Sequence, residues 1–246
     1  THVGNLVWRD LQPCRQFPQG DFLVLSALHQ VWDAEVIHAF LCQRRAPSGN
    51  DGNVDASSHN LFDAQAVEAA LQRRDAAGDG TIRVLSLGPD SARDAIKHGL
   101  AMGADEGYHL KDAAFDGGDA WSTALALSKA IEKLGVSDVL LFGRQAADWD
   151  QGTVGSIVAE LLGLPSVTVL RSLELGEGTI NTSRVVQDGF ESVSTPTPCA
   201  LTISNECGDP RYPQLRQIMQ AAKKEVTEWT LSLIHISEPT RPLYSS

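Results

Sequence analysis

Residues 138–170, DVLLFGRQAADWDQGTVGSIVAELLGLPSVTVL, decide the fold. Val139-Leu140-Leu141-Phe142 is an apolar run too short for a core helix and well suited to a buried strand. Gly143 ends it, and a polar loop from Arg144 to Gly152 follows, carrying Asp148 and Asp150. Val154, Ile157, Val158, Leu161 and Leu162 then recur at helical spacing, until Gly163 and Pro165 stop the helix. Ser166 to Leu170 reads as the next strand. Such a β-loop-α-β unit belongs in a parallel sheet.

That loop has a chemistry of its own. The first amides of a helix lack intrahelical partners and carry partial positive charge. Gly152 and Gly155 leave room for a phosphate to approach the backbone, and Thr153 adds a hydroxyl. Asp148 and Asp150 would repel a bare phosphate; they suit ribose hydroxyls or capping of the helix. The competing reading is a capped surface loop with no ligand.

Working upstream, Phe22 to Leu28 reads as a buried first strand, with His29 to Asp33 at its carboxyl end. Residues 1–20 form an irregular lead-in, and Arg44 to His59 a Ser/Asn/Asp/Gly-rich loop. Asn60 or Asp63 caps a helix over Ala64–Ala76, with Ala66, Val67, Ala70 and Leu71 as its apolar stripe. A strand over Ile82–Leu87, a helix from Asp90 or Ser91 to about Met102, a short strand Tyr108–Leu110 and a helix Ala120–Lys133 follow. The alternation predicts a three-layer α/β/α fold around a doubly wound, mostly parallel, Rossmann-like sheet; the family resemblance given below implies the adenine nucleotide alpha hydrolase-like form of it.

Beyond Leu170 the pattern changes to strands at Leu173–Leu175, Thr179–Gln187, Phe190–Ser194 and Cys199–Ile203, with Asp188-Gly189 as a hairpin turn. A helix-like run follows to about Glu225, with Leu215, Ile218 and Met219 on it. This divides the chain into a lead-in (1–20), an α/β domain (21–203), a loop and arm (204–229) and a tail (230–246); the family resemblance given below implies nucleotide binding for the second and partner recognition for the third.

Composition narrows the function. The 246 residues are 42% hydrophobic, enough for a core, and the net charge of −11 argues against a nucleic-acid-binding face. No apolar run reaches the roughly 18 residues of a membrane span, so no membrane insertion is expected. Thr1-His2-Val3-Gly4 shows no signal peptide, and the absent initiator Met points to a trimmed chain. Cys14, Cys42, Cys199 and Cys207 have no metal-site spacing and suit a reducing cytoplasm as ordinary thiols. No metal site and no catalytic Ser-His-Asp or Cys-His set can be assembled; His98 and His109 read as structural.

Several blocks, in order, resemble the β subunit of electron-transfer flavoproteins. They are Ala27 to Asp33; Asn60-Leu61-Phe62-Asp63 with Ala66 to Ala70; Leu87-Gly88-Pro89; Leu100 to Asp105; Gly143 to Asp148 with Asp150, Val154 and Gly155; and Asp209-Pro210-Arg211-Tyr212 with Leu215, Ile218-Met219 and Lys223-Lys224. The resemblance spans about Phe22 to Trp229. It implies a bacterial cytoplasmic electron-transfer subunit, not a stand-alone enzyme, paired as a heterodimer with an α subunit that holds most of the FAD. It implies an adenine nucleotide, AMP or a second FAD, bound by Ala27, Asn60, Leu61, Phe62, Asp63, Gly143, Arg144, Gln145, Ala146, Asp148, Asp150, Gly152, Thr153 and Val154. It implies docking of acyl-CoA dehydrogenases through Arg211, Tyr212, Leu215, Ile218 and Met219, and onward transfer to an ETF-quinone oxidoreductase-like acceptor.

The chain departs from the family pattern at His29, Trp32, Trp149 and Thr153, and Gln220 and Ala222 thin the basic tail, which marks a divergent member. Leu231 to Arg241 resembles a translated sequencing adapter and is expected to be non-native, with the true C-terminus missing. The alternative reading is an ATP-binding or ATP-hydrolysing α/β protein like universal stress proteins or ATP pyrophosphatases. Against it, Leu28-His29-Gln30-Val31 supplies no Gly- and Ser-rich pyrophosphate loop.

Overall fold

The computed structural model describes residues 36–42, 60–146, 151–176 and 178–234. Through Leu175 the order is β1 (Val36–Cys42), α1 (Leu61–Ala77), β2 (Thr81–Leu87), α2 (Ala92–Met102), β3 (Glu106–Leu110), α3 (Ala120–Leu134), β4 (Val139–Gly143), α4 (Val154–Leu162) and β5 (Ser166–Leu175). Then come β6 (Thr179–Val186), β7 (Gly189–Pro196), β8 (Cys199–Ile203), α5 (Leu215–Lys223) and β9 (Val226–Trp229). All nine strands form one sheet in the order β7-β6-β5-β8-β4-β1-β2-β3-β9. Pairing is parallel from β5 through β8 to β9, and antiparallel only between β5, β6 and β7. The doubly wound, mostly parallel sheet expected from the alternation is therefore present.

The unbroken apolar run of β4 has a reason. Val139 and Leu141 join one buried cluster with Leu71, Ile82, Ile96, Met102 and Leu201. Leu140 and Phe142 join a second with Leu85, Leu110, Leu127, Ile131 and Val158. A strand covered on both faces has no place for polar residues. Burying each large side chain contributes about 1.5–3 kcal/mol.

Three segments differ from expectation. The predicted strand Phe22–Leu28 lies outside the described residues, and the strand seated between β4 and β2 is Val36–Cys42, whose apolar run the pattern reading passed over. β5 is one continuous strand through Leu173–Leu175, bulged where it leaves β8 to pair with β6. At that bulge Val169 has φ 61°, a left-handed conformation that costs a β-branched residue about 1–2 kcal/mol. Its N–H donates to Thr202 Oγ1 at 2.8 Å, which holds the bend. Finally, Val226–Trp229 pairs in parallel with β3, so the arm re-enters the sheet. Leu231–Ile234, the first residues of the tail expected to be non-native, form a short 3-10 turn with Ile234 buried.

Candidate nucleotide crevice and docking arm

β1 has β2 on one side and β4 on the other, so the chain winds outward in opposite directions from that pair. Open α/β sheets bind ligands at the carboxyl ends of such a switch point. Two helix N-termini converge on it. Asn60 caps α1: its Oδ1 accepts from the Phe62 N–H at 3.2 Å. Its Nδ2 donates to the Gln145 carbonyl at 2.8 Å, tying the loop after β4 to the start of α1. Because Asn60 caps, the helix begins at Leu61, three residues before the expected Ala64. Asp63 then lies buried in the first turn, where the helix dipole favours a carboxylate.

Gly143 makes this junction possible. A Cβ there would sit 2.3 Å from Asp63 Oδ1 and 2.9 Å from the Asp63 nitrogen. Gly155 does the same for α4, whose backbone lies against the Phe142 ring and Thr202; an added Cβ would be 3.0 Å from that ring.

The loop between β4 and α4 is closed at its neck. The Arg144 N–H donates to the Ile203 carbonyl at 2.9 Å, and the Ala146 N–H to the Gln151 carbonyl at 3.1 Å. Gly152 passes so close to Arg144 that a Cβ would lie 2.6 Å from its carbonyl oxygen. At the start of α4, Thr153 is exposed and its side chain makes no capping bond. The first-turn amides of α4 thus receive no hydrogen bond from the N-cap side chain, which is the condition for an anion cradle.

The structure brings together Asn60, Leu61, Phe62, Asp63, Gly143, Arg144, Gln145, Ala146, Gly152, Thr153 and Val154 around these two helix starts. Leu61 and Arg144 are exposed, and Phe62, Gln145, Ala146 and Val154 half-buried. Ala27, His29, Trp32, Asp148, Trp149 and Asp150 lie outside the described residues.

The second predicted site is the arm. Tyr212, Leu215 and Met219 are 90%, 73% and 60% exposed, with Ile218 beside them. Arg211 points the other way. Its guanidinium donates to Glu68 at 2.7 and 3.1 Å and to Asp75 at 2.9 Å, while its backbone N–H also donates to Glu68. These carboxylates hold the guanidinium above its usual range. Arg211 is thus an anchor that fixes the arm on α1 and projects Tyr212 and Leu215 outward. Its partner Glu68, with a side chain only 8% exposed, carried no signal in the sequence because the two lie 143 residues apart.

Other expected features have plain roles. His109 is fully buried, with Nε2 3.0 Å from the Gly88 carbonyl. Cys199 and Cys207 are free thiols, and burial pushes the Cys199 thiol up to about 12. Among the described residues no helix is long and apolar enough to cross a membrane.

Residues 54–234 match the electron transfer flavoprotein domain family. The chain is 40% identical over 195 residues to the electron transfer flavoprotein subunit beta of Thermoanaerobacterium thermosaccharolyticum, covering 74% of each. It is 34% identical over 208 residues to the caffeyl-CoA reductase-Etf complex subunit CarD of Acetobacterium woodii, covering 80% of this chain and 79% of the relative. It is also 33% identical over 203 residues to the beta subunit from Megasphaera elsdenii, covering 76% and 75%.

Proposed function

The chain belongs to the electron transfer flavoprotein family, among its β subunits, and from that premise we propose that it is half of a two-chain flavin carrier holding an adenine nucleotide in the β1–β4 crevice. Electron transfer is the work of the family, and this sets aside the reading as an ATP-hydrolysing protein. The observation that carries the nucleotide proposal is the pair of helix starts joined by the Asn60–Gln145 hydrogen bond, with no capping bond from the Thr153 side chain at α4.

The residues fit an adenylate. The α4 amides and the Thr153 hydroxyl face a phosphate, Gly152 presents backbone alone, and Arg144 adds a positive charge at the same neck. Asn60 to Asp63 and Gly143 to Ala146 form the opposing wall. Bound FAD, held mainly by an α subunit, supplies the electron-carrying chemistry; this chain positions nucleotide and partner and is not itself a stand-alone catalyst. The nucleotide is AMP or a second FAD.

The electron donor is a flavin dehydrogenase of the acyl-CoA type, docking on Leu215 with Tyr212, Ile218 and Met219, and the acceptor is an ETF-quinone oxidoreductase-like protein. The Acetobacterium relative is by name part of a caffeyl-CoA reductase complex, which supports an enzyme acting on CoA thioesters as a partner. Tyr212, Leu215, Ile218 and Met219 together make a small exposed apolar patch, the make-up of a docking surface. The free thiols suit the cytoplasm.

The test is mass identification of nucleotides released on denaturing the heterodimer co-expressed with its α subunit. AMP beside one FAD, or two FAD, is the expected result. One FAD and no second nucleotide overturns the crevice proposal.

A further inference from the structure

Helix α5 sits on the body with very little apolar support. Of its nine residues only Ala221 is buried. Its neighbour is α2, and a groove of about 430 Å³ lined by Arg93, Lys97, His98 and Ile218 runs between them. The carboxyl ends of both helices carry exposed carbonyls and partial negative charge. A lysine crosses in each direction: Lys97 of α2 reaches the end of α5, and Lys224, the C-cap of α5, reaches the loop just past α2.

Lys97, on α2, donates its Nζ to the carbonyls of Ala221 at 2.9 Å, Ala222 at 3.2 Å and Lys224. Three acceptors use all three N–H bonds of the ammonium. Lys224, the residue that turns α5 into β9, donates its Nζ to the Ala104 carbonyl at 2.7 Å, just past the end of α2. Partial burial and the nearby Arg93 hold Lys97 below the usual lysine range.

We propose that Lys97 and Lys224 form a reciprocal clamp that sets α5 in its docking orientation, which makes them positioning residues for the electron-transfer partner. The inference rests on the reading of Leu215 as the docking side chain. Charge-assisted hydrogen bonds from two directions fix both the tilt and the rotation of a short helix, where a single buried alanine fixes neither. Met219 and Leu215 lie one turn apart on that helix, so a small rotation moves both contacts together. The clamp also explains how β9 matters to docking. It pins the far side of Lys224, so the chain leaves α5 in one direction.

The test uses the heterodimer, with butyryl-CoA dehydrogenase reduced by butyryl-CoA as electron donor and the heterodimer concentration varied. Lys97→Met and Lys224→Met are each expected to raise the KM for the heterodimer about tenfold while kcat stays within about twofold. Lys97→Arg, which keeps the charge and donors, restores most of the loss. Flavin content stays that of the wild type, and hydrogen exchange quickens at the α5 amides. Leu215→Ala is run alongside. A raised KM for Leu215→Ala with no change for either lysine variant overturns the clamp and leaves the docking reading standing. An unchanged KM for Leu215→Ala overturns the docking reading and the clamp with it. A lysine variant that only lowers thermal stability, with KM unmoved, assigns a purely structural role and overturns the proposal.

Discussion

At the scale of single residues, two close contacts carry the site. Gly143 lets α1 rest on the end of β4, and Gly143→Ala forces a methyl group into Asp63 and its backbone. The expected outcome is a loss of about 1–3 kcal/mol in urea unfolding and loss of bound nucleotide from the heterodimer. An equally stable variant with full nucleotide content would show that the junction is looser than the structure has it. Arg211 is the other. Its removal strands the Glu68 carboxylate, which is nearly sealed from water. Fully buried pairs lose about 3–5 kcal/mol when one partner goes; with Arg211 itself 37% exposed, Arg211→Ala is expected to cost about 2 kcal/mol. Pairing it with Glu68→Gln should recover part of that loss. Additive losses in the double mutant would mean the two side chains act independently.

At the scale of elements, α1 shows why a stripe in a sequence understates burial. The expected inward face, Ala66, Val67, Ala70 and Leu71, is buried, but so are Asp63, Gln65 and Glu68. The arm crosses the outer side of the helix, and Arg211 there compensates a carboxylate that should otherwise face water. A second case is the turn Leu231–Ile234. The Asp112 carboxylate accepts from the amides of Ala114 and Leu231, and these bonds hold its pKa below the ordinary 3.8. A depressed folded pKa contributes stability that is fully present above the unfolded value and lost as pH falls through the folded one. The turn should therefore stay attached above about pH 4 and loosen below it. Hydrogen exchange at the Leu231 amide checks this, with Asp112→Asn as control; protection that does not change on acidification sinks the idea. Lys133, which donates to the Leu233 carbonyl at 2.7 Å and lies over the Trp229 ring, is a second tie for the same turn.

At the scale of the whole molecule, the chain is expected to be purified as a yellow heterodimer when co-expressed with an α subunit. A colourless monomer in the presence of that partner would count against the two-chain carrier. Much of this architecture was legible in the residues. The run Val139–Phe142, the helix at Val154 and the Asp188-Gly189 turn each followed from local pattern, because burial on two faces, a 3.6-residue period and a left-handed glycine leave marks within a few positions. The family blocks put Asn60 and Gln145 in one expected site, and a hydrogen bond joins those two residues across 85 positions. Other features leave no local mark. Val226–Trp229 became a strand because β3 offered an open ladder; Val226, Thr227 and Trp229 are strand-favouring types, but a run of four residues is too short to mark a strand by itself. The Arg211–Glu68 anchor and the Lys97–Lys224 clamp join residues more than a hundred positions apart, and a lone charged side chain is read in a sequence as solvated. Periodicity and turn chemistry, being short-range, determined which elements this chain makes and how they alternate. Which charges they bury, and which helix end each lysine answers, was decided only when folding brought distant backbone carbonyls within hydrogen-bonding reach.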